Sequence, residues 1–139
     1  MTQTIFLIGC AGGVVKCFAL SENEWKPTFT FQEHTGWIRS LTKVNESMFV
    51  STSGDCTAKL WDLRNQSSSL FTFRGHTDPV YSSVFFEEEK AIATGDHEGK
   101  IKVCSIKKHL KKYEEEGVAQ SRASGTNKFH NQGLDAIET

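Results

Sequence analysis

Residues 53–64 of this chain read S-G-D-C-T-A-K-L-W-D-L-R, and the pattern around them returns at a fixed interval. Phe49 to Leu63 reads F-V-S-T-S-G-D-C-T-A-K-L-W-D-L. Ile92 to Ile106 reads I-A-T-G-D-H-E-G-K-I-K-V-C-S-I, and Phe6 to Leu20 reads F-L-I-G-C-A-G-G-V-V-K-C-F-A-L. Successive segments lie 43 residues apart with no internal gap. Each opens on a short run of apolar or small residues and passes through a turn rich in Gly or Asp. A second run follows with Lys at its middle (Lys16, Lys59, Lys102) and Leu or Ile at its end. Two short apolar runs around such a turn make a β-hairpin.

A second element recurs between the hairpins. Phe29-Thr30-Phe31 precedes Gln32-Glu33-His34-Thr35, and Phe71-Thr72-Phe73 precedes Arg74-Gly75-His76-Thr77. A strand-like run follows each His, starting at Trp37 and at Val80. One full unit is therefore four short strands over 42–43 residues. Four strands in a period of about 40–45 residues is the signature of a propeller blade. The fold class expected is all-β, with antiparallel four-stranded blades. Gly-His at 75–76 and Trp-Asp at 61–62 are the marker dipeptides, and over residues 5–106 the chain resembles the WD-repeat (WD40-type) β-propeller family. Parsed this way it holds about two and a half blades, in pieces 5–31, 32–73 and 74–106. Closed propellers have about four to eight blades. The expectation is a piece or short isoform of a longer propeller, or a ring completed by self-association.

The resemblance implies a role for four residues of the middle blade. His34, Ser51, Asp55 and Trp61 occupy the family's hydrogen-bond network, which ties strands together inside a blade. The chemistry suits it: imidazole and hydroxyl each donate and accept, carboxylate accepts, and the indole N–H only donates. The gapless alignment places a degenerate second set in the third blade, His76, Thr94 and Glu98, with Cys104 where the middle blade has Trp61. In the first blade Gly12 and Phe18 replace the turn Asp and the Trp. His-Ser-Asp also invites a catalytic-triad reading, but a nucleophile needs an exposed oxygen beside an oxyanion hole, and the family uses these residues structurally.

Other chemistry is thin. None of Cys10, Cys17, Cys56 and Cys104 forms a C-x-x-C pair, and His97, His109 and His130 have no metal-ligand spacing. No metal, cofactor or catalytic residue is expected. Gly9 to Gly13 lacks the G-K-[ST] that completes a phosphate loop. The formal net charge of −1 gives no general pull toward nucleic acid or anionic lipid. The short run before Cys10 lacks the basic residues and length of an export signal, and no stretch reaches membrane-spanning length. The location expected is intracellular, cytoplasmic or nuclear.

Two protein-contact surfaces are candidates. Trp37, Arg39 and Tyr81 are residue types enriched at binding hot spots. Trp61 to Arg64, W-D-L-R, is similar to the box through which substrate receptors of cullin-RING ubiquitin ligases contact the ligase adaptor, which assigns Asp62 and Arg64 to that contact. The function expected is a non-enzymatic interaction module or scaffold, with the ligase receptor as the alternative. Residues 107–116, K-K-H-L-K-K-Y-E-E-E, favour a marginal, solvated helix. Residues 117–139 carry little to bury and read as disordered.

Overall fold

The computed structural model describes residues 3–124 and 135–137. Ten strands alternate with tight turns in chain order. They are β1 (Thr4–Gly9), β2 (Val14–Ser21), β3 (Glu24–Gln32), β4 (Ile38–Lys43), β5 (Met48–Ser53), β6 (Ala58–Asp62), β7 (Phe71–Phe73), β8 (Val80–Phe86), β9 (Ala91–Asp96) and β10 (Ile101–Ser105). Helix α1 (Lys107–Ser124) and strand β11 (Asp135–Ile137) follow. The strands form three sheets, ordered β11-β1-β2-β3, β4-β5-β6-β7 and β10-β9-β8. All pairings are antiparallel except β1 with β11. This is the architecture of incomplete WD-repeat propeller blades.

The hairpins sit where the repeat places them. Phe49 pairs with Trp61 across β5 and β6, and Ile92 pairs with Cys104 across β9 and β10. The turns close alike, with the amide of Ser53 donating to the carbonyl of Thr57 and that of Asp96 to the carbonyl of Lys100. Gly13 and Gly99 turn at φ of 79° and 84°, a region glycine enters without a Cβ penalty. At Gly13 no other residue fits, because a Cβ there would meet the carbonyl oxygen of His34.

Strand periodicity sends alternate side chains to opposite faces, so the sheets bury apolar layers between them. Ile5, Leu7, Val15 and Phe31 of the first sheet pack against Phe49 and Trp61 of the second. Phe31 meets the Trp61 ring edge-on with centroids 5.3 Å apart, and Phe49 stacks on it at 6.2 Å. Between the second and third sheets lie Met48, Val50, Leu60, Phe73, Ile92 and Ile106. The far face of the third sheet stays open, with Ile101 74% and Val103 66% exposed.

The C-terminal segment departs from expectation. Helix α1 begins where a helix was expected and continues to Ser124, through residues expected to lack structure; in its first half His109, Leu110 and Tyr113 are half-buried and the other side chains are exposed. Leu110 and Tyr113 lie against the second apolar layer. They stand three residues apart, which puts them on one helix face, and burial of that pair offsets the weak intrinsic helicity of a Lys-before-Glu order. Strand β11 likewise falls in the stretch read as disordered; residues 125–134 and 138–139 of that stretch lie outside the described residues.

Candidate functional site

Three groupings of polar or aromatic side chains stand out. The first is the buried network. The hydroxyl of Ser51, on β5, donates to His34 Nε2 at 2.7 Å and accepts from Trp61 Nε1, on β6, at 2.8 Å. His34 Nδ1 donates to Asp55 Oδ2 at 2.8 Å. Thr57, which the sequence reading left out, donates to the other carboxylate oxygen at 2.6 Å, and the amides of Thr35 and Thr57 also donate to Asp55. Burial holds the His34 imidazole below its ordinary pKa, against the pull of Asp55. Burial pushes the Asp55 carboxyl up, but the bonds from Thr57 and His34 outweigh it and hold the group low. Neutral imidazole and ionised carboxylate are the pair this geometry requires.

The connectivity Ser–His–Asp is that of a hydrolase triad, and burial separates the two cases. Ser51 is 0% exposed and already accepts the indole N–H, so no substrate carbonyl reaches it. The residues lock β5, β6 and the segment before β4 to one another.

The second network is rebuilt from a different residue. His76 Nε2 accepts from the Thr94 hydroxyl at 2.8 Å, but its Nδ1 donates to Asp96, not to Glu98, again at 2.8 Å. Glu98 is exposed, and its amide donates to Asp96. In the gapless alignment Glu98 falls opposite Asp55. The carboxylate that does the work hangs from the end of β9, two residues after Thr94, where the middle blade has Ser53. A carboxylate at either point reaches the histidine across the turn. Asp96 also takes the amides of Glu98 and Lys100; burial raises its pKa, but the bond from His76 with these amides holds it low. The signal for Asp96 was available: it stands 20 residues after His76, where Asp55 stands 21 after His34.

The third grouping is exposed. The Arg39 guanidinium lies 5.3 Å from the Trp37 ring centroid and 5.1 Å from that of Tyr81. His97 meets Tyr81 edge-on at 5.3 Å. Trp37 is 59% and Tyr81 40% exposed. Two adjacent sheets thus bring Tyr81 to the sequence neighbours Trp37 and Arg39, and add His97. Among the described residues Arg39 has no carboxylate partner, so its N–H donors face solvent.

Asp62 and Arg64 lie at the opposite end of the second sheet, since β5 pairs Ser53 with Ile38 and Met48 with Asp62. They are engaged rather than free. Arg64 forks onto Asp62 at 2.7–3.2 Å, and its guanidinium sits 3.9 Å from the ring centroid of Tyr113 on α1. Glu116 approaches it at 3.8 Å. Among the described residues no cluster of His, Cys, Asp or Glu has the arrangement to hold a metal, and no helix is long and apolar enough to cross a membrane.

Comparison with known proteins agrees with this architecture. The family model described as "WD domain, G-beta repeat" matches residues 25–62 and 67–105, each match running from an outer strand through the next hairpin. A ribosome biogenesis protein WDR12 homolog of Caenorhabditis briggsae is 43% identical over 70 residues, covering 49% of this chain and 15% of that protein. A guanine nucleotide-binding protein subunit beta of Zea mays is 36% identical over 76 residues, covering 53% of this chain and 20% of the subunit. The corresponding subunit of Solanum tuberosum is 37% identical over 68 residues. The chain thus spans a fifth or less of the length of these relatives. With the family model matched over more than half of its residues, and with repeated hairpins and two His-centred networks, the chain belongs to the WD40 family of WD-domain, G-beta repeat proteins.

Proposed function

We propose that this chain is a non-enzymatic protein-interaction module and that its contact surface is the Trp37–Arg39–Tyr81 cluster. The observation that carries this is the placement of Arg39: an exposed guanidinium held between two aromatic rings, with no acidic partner of its own. Aromatic anchors with arginine dominate binding energetics at protein interfaces, and the cation–π contacts hold the guanidinium in place before a partner arrives. Its fork of donors suits a carboxylate on the partner. The polar networks elsewhere are buried and spent on the fold.

The test compares proteins captured by the wild-type chain with those captured by a Trp37→Ala, Arg39→Ala double variant. Both positions are exposed, so the variant keeps its thermal midpoint. Selective loss of bound proteins supports the reading, and an unchanged set overturns it. The ligase-receptor alternative would need Arg64 to leave both Asp62 and Tyr113, so it draws no support from this geometry. Capture of the ligase adaptor by the wild type and not by Arg64→Ala would restore it.

A further inference from the structure

The junction between the second and third sheets lacks two groups that the junction before it contains. Between the first and second sheets, Trp61 fills the layer and gives its indole N–H to Ser51. Beside it Lys59 Nζ bonds Glu33 at 3.0 Å. At the next junction Thr94 stands for Ser51, Lys102 for Lys59, Phe73 for Phe31 and Ile92 for Phe49. Cys104, however, stands for Trp61, and Gly75 for Glu33. The missing volume is an open cleft of about 360 Å³, lined by Phe73, Ile92, Thr94, Lys102 and Cys104 among others. That size lies at the lower end of ligand pockets.

The polar groups left behind define what would fill it. Thr94 is buried and gives its proton to His76, so its oxygen keeps a lone pair that no second donor takes among the described residues. Its counterpart Ser51 receives the Trp61 N–H on that lone pair. Lys102 has no carboxylate partner among the described residues, and Arg74 at the rim has none either. Lys102 Nζ lies 3.3 Å from where a side chain on Gly75 would begin, the position from which Glu33 reaches Lys59. Among the described residues no strand pairs with the outer edge of β10, so an extended chain can lie alongside the cleft.

We infer that this cleft is a binding site for a tryptophan side chain carried, with a nearby carboxylate, on an extended segment of a partner protein. The indole enters between Phe73 and Ile92 and donates to Thr94, and the carboxylate pairs with Lys102. The inference rests on the interaction reading above but uses a separate surface, so each can fail alone.

The test titrates the full chain with the peptide acetyl-Glu-Ala-Trp-Ala-amide and follows backbone amide resonances. Shifts confined to Phe73, Ile92, Thr94 and Cys104 are expected. Replacing the peptide's Trp with 1-methyltryptophan should weaken binding roughly tenfold, since the donor is lost. Cys104→Trp, which restores the indole within the chain, should abolish binding and raise the thermal midpoint. Lys102→Glu, an exposed change that does not threaten folding, should abolish binding as well. Absence of shifts at the cleft, or binding that survives Lys102→Glu, overturns the inference. N-acetyltryptophan binding as tightly as the peptide overturns the partner segment in favour of a small indole carboxylate. A dimer that Cys104→Trp dissolves would make the occupant a second copy of this chain. A failed titration with intact Trp37- and Arg39-dependent capture leaves the proposed function standing.

Discussion

Ser51 shows how little freedom the buried polar groups have. Its single hydroxyl serves two neighbours, donating to His34 and accepting from Trp61, and none of the three side chains has a route to water. Ser51→Ala leaves an indole N–H and an imidazole nitrogen buried without partners. The expected cost is about 2–3 kcal/mol, since each unpaired buried group costs about 1–3 kcal/mol. Ser51→Thr should cost less, because Thr94 already does the same job in the third sheet. The midpoint of urea unfolding decides between these values. A Ser51→Ala protein as stable as wild type would show that water or a rotated side chain takes over the bonds.

At the scale of the element, the hairpin turn sets which carboxylate reaches the histidine. Asp96→Ala should cost about 2–3 kcal/mol through the stranded Nδ1–H of His76 and the released turn amides. Glu98→Ala should stay within about 0.5 kcal/mol, as exposed substitutions do. Equal losses at the two positions would restore the role that spacing alone gives Glu98. This is also where legibility in the sequence ends. The strands and their turns were readable, because alternation, turn residues and a 43-residue period act along the chain, and the family resemblance that these repeats carry implied the His34–Ser51–Asp55–Trp61 set. Asp96 was legible only through its spacing from His76 and not through the gapless repeat, because reach across a turn is a distance in space, and two chain positions satisfy it. Helix α1 was expected from residue 107, but its contact with the sheets was not, for a related reason. Its sequence shows charge density, whereas Leu110 and Tyr113 are stabilised by an apolar layer belonging to other strands. The Trp37–Arg39–Tyr81 residues were legible as types; their meeting required two sheets to lie side by side. Leu110→Ala should lower stability by about 1–2 kcal/mol, less than a fully buried leucine, in the same denaturation experiment. No change would mean the helix does not brace the sheets.

For the whole molecule, the shifted groups that titrate on the acid side act in one direction. His34 is held below its ordinary pKa of 6.5 by burial. His109 is shifted the same way by burial and the nearby Lys112 and Lys108. The unfolded chain therefore binds more protons than the folded one just below pH 6.5, and stability falls as pH drops through that value. Asp55 and Asp96 are held below 3.8, so their contribution persists above it and is lost as pH falls through their folded values. Thermal midpoints should decrease from pH 7.5 to 5.5 and again to 3.5. A midpoint that rises on acidification to pH 5.5 would contradict the buried neutral state of His34.

The exchange of Trp61 for Cys104 between the two junctions also divides the molecule optically. Trp61 is enclosed between the first two sheets, whereas Trp25 and Trp37 are 43% and 59% exposed. All three indoles belong to the first two sheets and their connections, and the third sheet has none. Loosening of the third sheet would leave tryptophan emission largely unchanged while removing strand signal from circular dichroism. Coincident melting curves from the two methods would mean that all three sheets unfold as one cooperative unit. A circular-dichroism transition at lower temperature than the fluorescence transition would mean that the third sheet detaches first, and the gap between them would measure how weakly the junction without an indole is held.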